Sequence, residues 1–241
     1  MLGVLVISSA KAQNVTYGNT NTWGLLLNSF KFNNKWSLLN EVHHRTGAFL
    51  EDKSTFIFRP AIVYHPNENT ELSVGYSYLR NWPHEPSNTL PIATNEHNVW
   101  SQVLMKWQVG GVKFQNRFRQ ENRYIDTINH AGSEPQIGGA RYANRFRYRL
   151  TASFDIVKLK TDGRSIFVNL FDEIWVDQGN NLMPTHFARN WFYAGLGYKI
   201  NEDHNVQLGV MNQYDVLGNN NFISSNILQL TVFKGFNFTA E

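Results

Sequence analysis

Hydrophobic and polar residues alternate along most of the chain, and polar turns interrupt the alternation at intervals. No segment has convincing helical periodicity, and no linker or shift in composition divides the chain into domains. Alternation of this kind predicts half-buried β-strands, so we expect an all-β protein with one domain. Eleven such segments can be marked: 20–32, 35–45, 54–65, 70–81, 95–108, 112–124, 142–154, 164–176, 188–200, 204–214 and 225–238.

The connections between these segments alternate in length. Tight turns lie at 33–34, 66–69, 110–111 and 201–203, and longer loops lie at 46–53, 82–94, 125–141, 177–187 and 215–224. Short turns at one rim and long loops at the other are typical of transmembrane β-barrels, in which the short turns are periplasmic and the longer loops extracellular. The segments also have the length, ~9–11 residues, that a tilted strand needs to cross a bilayer.

The two faces of the predicted strands differ in chemistry. Segments 112–124 and 142–154 carry six arginines on alternate positions, with aromatic and aliphatic residues between them. An arginine that faces lipid at the membrane midplane costs roughly 2–4 kcal/mol, so the arginines are expected inside and the apolar residues outside. This arrangement favours a single transmembrane antiparallel β-barrel over a soluble barrel or sandwich.

Aromatic residues are concentrated near the ends of the segments, as two membrane interfaces would select. One predicted belt, beside the short turns, contains Trp36, Tyr64, Trp107, Phe114, Phe154, Phe167 and Tyr198. The other, toward the long loops, contains Tyr76, Tyr78, Tyr124, Trp175 and Tyr214. The last segment has apolar residues on one parity and ends on Phe238, which is similar to the C-terminal signal read by the outer-membrane insertion machinery.

Two features complicate this prediction. Eleven strands is an odd number, whereas a chain that starts and ends in the periplasm needs an even one. We therefore expect a barrel of about 10–12 strands, with residues 13–19 supplying a twelfth. Pro60 lies inside the third segment, where it lacks the N–H that a closed barrel requires, and it predicts a β-bulge.

Residues 1–12 are predicted to be a signal peptide, because a short apolar stretch ends in Ala10-Lys11-Ala12. The missing basic region indicates a truncated start, and residues 13–241 form the predicted barrel domain. The formal net charge is only +3, with no long lysine or arginine block, so nucleic acid is not an expected partner. The expected location is the bacterial outer membrane, and the expected partners are its lipid bilayer and the insertion machinery.

The chain resembles bacterial outer-membrane barrels of the domain-of-unknown-function 2490 family over nearly its whole mature length. The most specific part is the pair of arginine runs at 117–123 and 145–149. The other matching positions are Trp36, Glu41, Arg45, Gly75-Tyr76, Glu96-His97, Trp100, Gln102, Glu173, Arg189-Asn190 and 195–198. The order Arg189-Asn190 departs from the family pattern, so no role is carried onto Arg189. The resemblance implies a fold and a location, but no activity or cofactor.

The inward parity carries twelve basic and five acidic residues, which is a large excess for a nearly neutral chain. Uncompensated arginines along a wet channel would favour passage of small anionic solutes. Alternatively, arginine–glutamate pairs could brace a narrow, non-conducting barrel. The candidate lumen residues for either role are Arg45, Arg59, Arg117, Arg119, Arg123, Arg145, Arg147, Arg149, Glu41, Glu121 and Glu173.

Two further classes of function remain open. A surface scaffold or receptor would use the loops at 82–94 and 125–141. An outer-membrane lipid hydrolase would need a serine activated by histidine, and the nearest string is 129–133, with His130 and Ser133. Its spacing departs from the phospholipase pattern, so no catalytic residue is assigned. His43 and His44 point to opposite faces of a strand, and neither a metal nor another cofactor is predicted.

Overall fold

The computed structural model describes residues 14–84, 91–159, 163–179, 186–218 and 221–238. The predicted signal peptide at 1–12 lies outside these residues. In the part of the chain that is described, no helix is long and apolar enough to cross a membrane. The strands are β1 (Asn14–Tyr17), β2 (Asn21–Lys31), β3 (Trp36–Gly47), β4 (Asp52–Asn67), β5 (Thr70–Asn81), β6 (Thr94–Val109), β7 (Val112–Asn129), β8 (Gln136–Lys158), β9 (Ser165–Gln178), β10 (Phe187–Lys199), β11 (His204–Gly218) and β12 (Asn221–Asn237).

Strands β2 to β12 form a closed barrel. Each strand pairs antiparallel with the next along the chain, and β12 then pairs with β2 in parallel, from Ile227↔Asn21 to Asn237↔Lys31. A ring with an odd number of alternating strands must contain one parallel pair, because its first and last strands run in the same direction. The predicted all-β barrel is therefore confirmed, with eleven strands around the ring.

The short strand β1 is an extra element that does not widen the ring. It pairs with the beginning of β12, from Asn14↔Asn221 to Tyr17↔Ser224, on the same edge that β2 occupies farther along. The expected short strand within 13–19 is thus confirmed. The requirement for an even number of strands is wrong, because the parallel pair of β12 and β2 closes the barrel.

The connections lie at two rims of different character. Of the described residues outside the strands, 32–35, 68–69, 110–111, 159, 163–164 and 200–203 lie at the short-turn rim, and 48–51, 82–84, 91–93, 130–135, 179 and 186 lie at the long-loop rim. Much of the predicted loop at 125–141 is strand, because β7 and β8 continue their pairing as a hairpin. A register shift after Thr127 and the positive φ of Gly139 give this hairpin a bulge.

Pro60 lies in β4 without the predicted bulge. It is directly opposite Asn40 of β3 in an unbroken register. On the β5 side the pairing omits Arg59 and Pro60, yet the register at Phe58 and Ala61 is the same. The proline therefore interrupts one ladder without inserting a residue, because a missing N–H removes a hydrogen bond but leaves strand spacing unchanged.

Side chains alternate between a packed lumen and an apolar outer face. Exposed aliphatic residues such as Ile62, Val74 and Val210 are on the outer parity. Most of the predicted belt residues also face outward, but Trp175 and Phe167 are exceptions. Trp175 is buried against lumen arginines, and Phe167 covers Gly197 inside the barrel. Both have the parity of the inward residues on β9, so their assignment to the outer belts is wrong.

Gly75 makes room for a tryptophan inside the barrel, and this contact gives a stability prediction. A Cβ at Gly75 would lie 2.3 Å from Cζ2 of Trp100, whose side chain is fully buried. Gly75→Ala should therefore lower the free energy of unfolding by about 1–3 kcal/mol, measured by denaturant titration of tryptophan fluorescence. Gly111→Ala is the control, since its Cβ would meet no atom within 4 Å. Equal unfolding midpoints for the two variants would contradict this packing.

Candidate functional site

A network of charged side chains fills the lumen at mid-height, and we call it the mid-lumen network. It draws residues from β3, β4, β7, β8 and β9. Alternation places them all on the inward parity of their strands. The members are Glu41, Arg59, Arg117, Arg119, Glu121, Arg145, Arg147, Arg149 and Glu173.

Glu173 is the centre of one half of the network. Its carboxylate accepts hydrogen bonds from Arg147 Nε at 2.7 Å and from Arg117 Nη2 at 2.5 Å. Arg149 also donates to it, with Nε at 2.8 Å. The side chain of Glu173 is 0% exposed, so these three guanidinium groups provide the hydrogen bonds that water would otherwise donate to its carboxylate.

Strand register explains why the second glutamate joins the same network. Glu121 on β7 is directly opposite Arg145 on β8, and Glu173 on β9 is directly opposite Arg149. Arg147 lies between the two arginines on the same face, so it reaches both carboxylates diagonally. Its Nη1 is 2.8 Å from Glu121, which is also fully buried.

The opposite wall contacts this half at Arg119, which lies on β7 directly opposite Arg147 of β8. Glu41 is directly opposite Arg59, and their atoms Oε2 and Nη1 are 2.6 Å apart. Arg59 also donates from Nε to Ser77 Oγ at 2.8 Å. Arg119 on β7 donates to Gln102 and lies 3.8 Å from Glu41 on β3, four strands away. The network therefore spans the bore from wall to wall.

Above the network, tryptophans alternate with arginines. Trp175 has the Cζ atoms of Arg147 and Arg145 at 4.0 and 4.1 Å from its ring centre. Trp191 packs against Trp175 with ring centres 4.5 Å apart. Such contacts combine cation–π attraction with the shielding of the guanidinium face from water. The sequence pattern did not predict these arginine–tryptophan contacts. However, Trp175 has the same inward parity as Glu173 on β9, and that parity indicates a side chain inside the lumen.

A polar cavity lies between the mid-lumen network and the long-loop rim, and we call it the arginine cup. It has a volume of about 380 Å³, and its lining extends from Glu41 at mid-height to Asn81 and Thr94 at the rim. Among the described residues, nine arginines line it: Arg45, Arg59, Arg117, Arg123, Arg141, Arg145, Arg147, Arg149 and Arg189. The acidic lining residues of the same ranges are Glu41, Glu96 and Asp215.

Two ion pairs border the cup outside the network. Arg123 holds Glu96 with two hydrogen bonds, at 2.6 and 2.7 Å. Arg189 pairs with Asp215, a carboxylate that sequence analysis missed because β11 continues past residue 214, where the predicted segment ended. Extending the alternation by one residue would have found it.

The eleven candidate lumen residues all lie on the inward parity, and ten of them have a carboxylate–guanidinium contact within 4.0 Å. Arg45 has no such contact within the described ranges, and it stacks on Trp23 instead, with Cζ 3.7 Å from the ring centre. His43 faces inward and His44 outward, as their alternation predicts. Across the described ranges, no three side chains are grouped to hold a metal ion.

The string considered for a hydrolase lies at the tip of the β7–β8 hairpin. His130 and Ser133 are both exposed there, and no hydrogen bond joins them in the described part of the chain. A serine nucleophile needs a base within hydrogen-bonding reach and a third group that orients the base. This geometry provides neither.

Comparison with known proteins identifies a family for this chain. Residues 20–223 match the family described as "Protein of unknown function (DUF2490)", a span that covers β2 to β11 and the start of β12. No curated protein and no solved structure matches the chain. Since the family match covers most of the sequence, the chain belongs to the domain-of-unknown-function 2490 family.

Proposed function

We propose that this protein is a bacterial outer-membrane β-barrel that does not conduct, because the mid-lumen network closes its bore. In this role the barrel is a braced scaffold that presents its long-loop rim at the cell surface. Its partners in the proposal are the lipid bilayer and the outer-membrane insertion machinery that would place it there.

The outer surface supports the membrane location. Large apolar side chains such as Phe192, Leu196 and Leu208 are more than half exposed on the outer face. In water so much exposed apolar surface would favour aggregation, whereas lipid solvates it. Aromatic pairs also lie near both rims, including Trp107–Phe114 at the short-turn rim and Tyr124–Tyr142 on the long-loop side.

The main support for a closed bore is the burial of side chains at the middle of the lumen. On one wall, Glu121 and Glu173 are 0% exposed and Arg147 is 2% exposed. On the adjoining strands β10 and β11, Tyr193 and Met211 are each 1% exposed. Side chains that line a water-filled channel remain wet, so these positions are packed against other side chains rather than against solvent.

An anion-preferring pore is the second candidate, and the nine arginines of the cup favour it. Their charge would attract small anionic solutes toward the bore. For such solutes to cross, however, the mid-lumen network would have to separate, which exposes paired and buried charges at a large cost. We do not propose a lipid hydrolase, since His130 and Ser133 lack the required geometry.

Conductance in planar lipid bilayers tests the proposal. We expect no discrete current steps from the purified protein at either polarity of the applied voltage. The control is proof of folding in the same sample, read from the different gel mobility of unheated and boiled protein and from a β-type circular dichroism spectrum. Discrete steps with anion selectivity from a folded sample would overturn the closed bore and support the pore.

A further inference from the structure

Arg45 is the least neutralised of the half-buried and buried arginines that line the arginine cup. Seven of the nine lining arginines have a carboxylate within 4.0 Å. Within the described residues, Arg45 and the exposed Arg141 have none. The Nε of Arg45 is also buried without a hydrogen-bond partner. The terminal nitrogens Nη1 and Nη2 of Arg45 are not among the buried atoms without a partner, so they are the donors that an oxygen ligand in the cup can reach.

Two tryptophans hold Arg45 in place. Its Cζ lies 3.7 Å from the ring centre of Trp23 and 5.5 Å from that of Trp191. The two rings pack edge to face with centres 5.4 Å apart, and both side chains are buried. Stacking covers a face of the planar guanidinium, which leaves the N–H groups at its edge for hydrogen bonding. Arg45 is therefore positioned before any ligand arrives.

The charge balance of the cup favours anions of more than one charge. Among the described residues, nine arginines line the cavity, whereas five carboxylates pair with them, Glu41, Glu96, Glu121, Glu173 and Asp215, and a sixth, Asp177, lies directly opposite Arg145. The excess is three positive charges in a recess with packed walls, where an electrostatic field is concentrated rather than screened. A neutral ligand would leave this excess uncompensated.

We propose that the arginine cup binds a small anion that carries two or more negative charges on carboxylate or phosphate groups, with one such group held by Arg45 above Trp23. Carboxylate and phosphate oxygens both match the planar fork of a guanidinium group. The cavity volume of about 380 Å³ is within the range of small-molecule sites. The inference does not require a closed bore, because an anion can bind in the cup whether or not the mid-lumen network below it conducts ions. Binding and conduction are also measured separately, so one proposal can fail without the other.

Titration of the detergent-solubilised protein tests the ligand class. Citrate and inorganic phosphate are added at constant ionic strength, and binding is followed by calorimetry and by the fluorescence of the cup tryptophans. We expect saturable binding of at least one of these anions and none of glycerol. Stronger binding of citrate identifies carboxylate ligands, and stronger binding of phosphate identifies phosphate ligands. Absence of saturable binding for both anions would overturn the proposal.

Arg45→Met tests the residue, and Arg80→Met is its matched control. Arg80 is near the same rim but is absent from the cup lining and donates to Asn95 instead. Loss of a charge-assisted hydrogen bond should weaken anion binding about tenfold or more in Arg45→Met. The control should stay within about twofold of the parent protein. Unchanged affinity in a folded Arg45→Met variant would refute the assignment.

Arg45→Lys keeps the test decisive if the methionine variant does not fold. Lysine retains the positive charge but lacks the planar fork that stacks on Trp23 and donates from one edge. Its anion affinity should lie between those of the parent protein and Arg45→Met. Parent-like affinity in Arg45→Lys would show that charge alone recruits the anion, and would remove Arg45 stacking from the proposal.

Discussion

Glu173→Gln is expected to lower the free energy of unfolding by about 3–5 kcal/mol. The carboxylate is fully buried and is contacted by Arg117, Arg147 and Arg149. Glutamine has nearly the same shape, but it removes the negative charge that neutralises these three arginines and adds an amide donor facing other donors. The measurement is a denaturant titration of the folded barrel in lipid vesicles, followed by tryptophan fluorescence.

Glu71→Gln is the matched control for this prediction. Glu71 pairs with Lys106 in a partly exposed position of the lumen, and His65 Nδ1 is 3.9 Å away. Water can solvate the lysine after the substitution, so the expected loss is about 0–1 kcal/mol. If Glu173→Gln were no less stable than Glu71→Gln, the mid-lumen network would not be the brace that closes the bore.

Arg147→Glu should destabilise the barrel at least as strongly, by about 3–5 kcal/mol or more, without creating a current. Arg147 is the residue that joins Glu121 to Glu173. Reversing its charge would place three carboxylates side by side in a position that excludes water. The unfolding free energy and the planar-bilayer current should be measured on the same preparation.

Arg141→Glu supplies the comparison, because it makes the same charge reversal on the same strand at an exposed position without an ion pair in the described residues. Its expected effect on stability is within about 0.5 kcal/mol. The opposite pattern would favour a pore: a stable Arg147→Glu barrel that conducts, with its reversal potential shifted toward cations. In that case Arg147 would set selectivity rather than hold the walls together.

The faces of the strands were predictable from alternation. All the candidate arginines and glutamates lie on the parity assigned to the lumen, since successive side chains of a strand must point to opposite sides. Trp175 and Phe167 lie near strand ends, as interface aromatics do, but their inward parity places both side chains inside the barrel. Asp215 was missed because the predicted segment stopped one residue early. Strand ends are poorly defined by composition, since pairing continues into polar residues.

The way the barrel closes and the partners of its ion pairs were not predictable from the sequence alone. The even number of strands was expected from topology, yet β12 and β2 pair in parallel. The partner of each arginine depends on inter-strand register, which decides that Arg149 is opposite Glu173 and that Arg147 reaches two carboxylates. Register is a property of two strands together, so neither strand encodes it alone.

By itself, the sequence determined that this protein is a β-barrel with charged residues on one side of its wall and apolar residues on the other. Period-two alternation is a local property of each strand. The free-energy cost of placing charged side chains in lipid decides which face of the strand points into the lumen. Only the tertiary structure decided that the lumen is packed at mid-height, and that no carboxylate of the described residues lies within 4.0 Å of Arg45. Both depend on distances across the bore, which are set once the eleven strands close into a ring of fixed width.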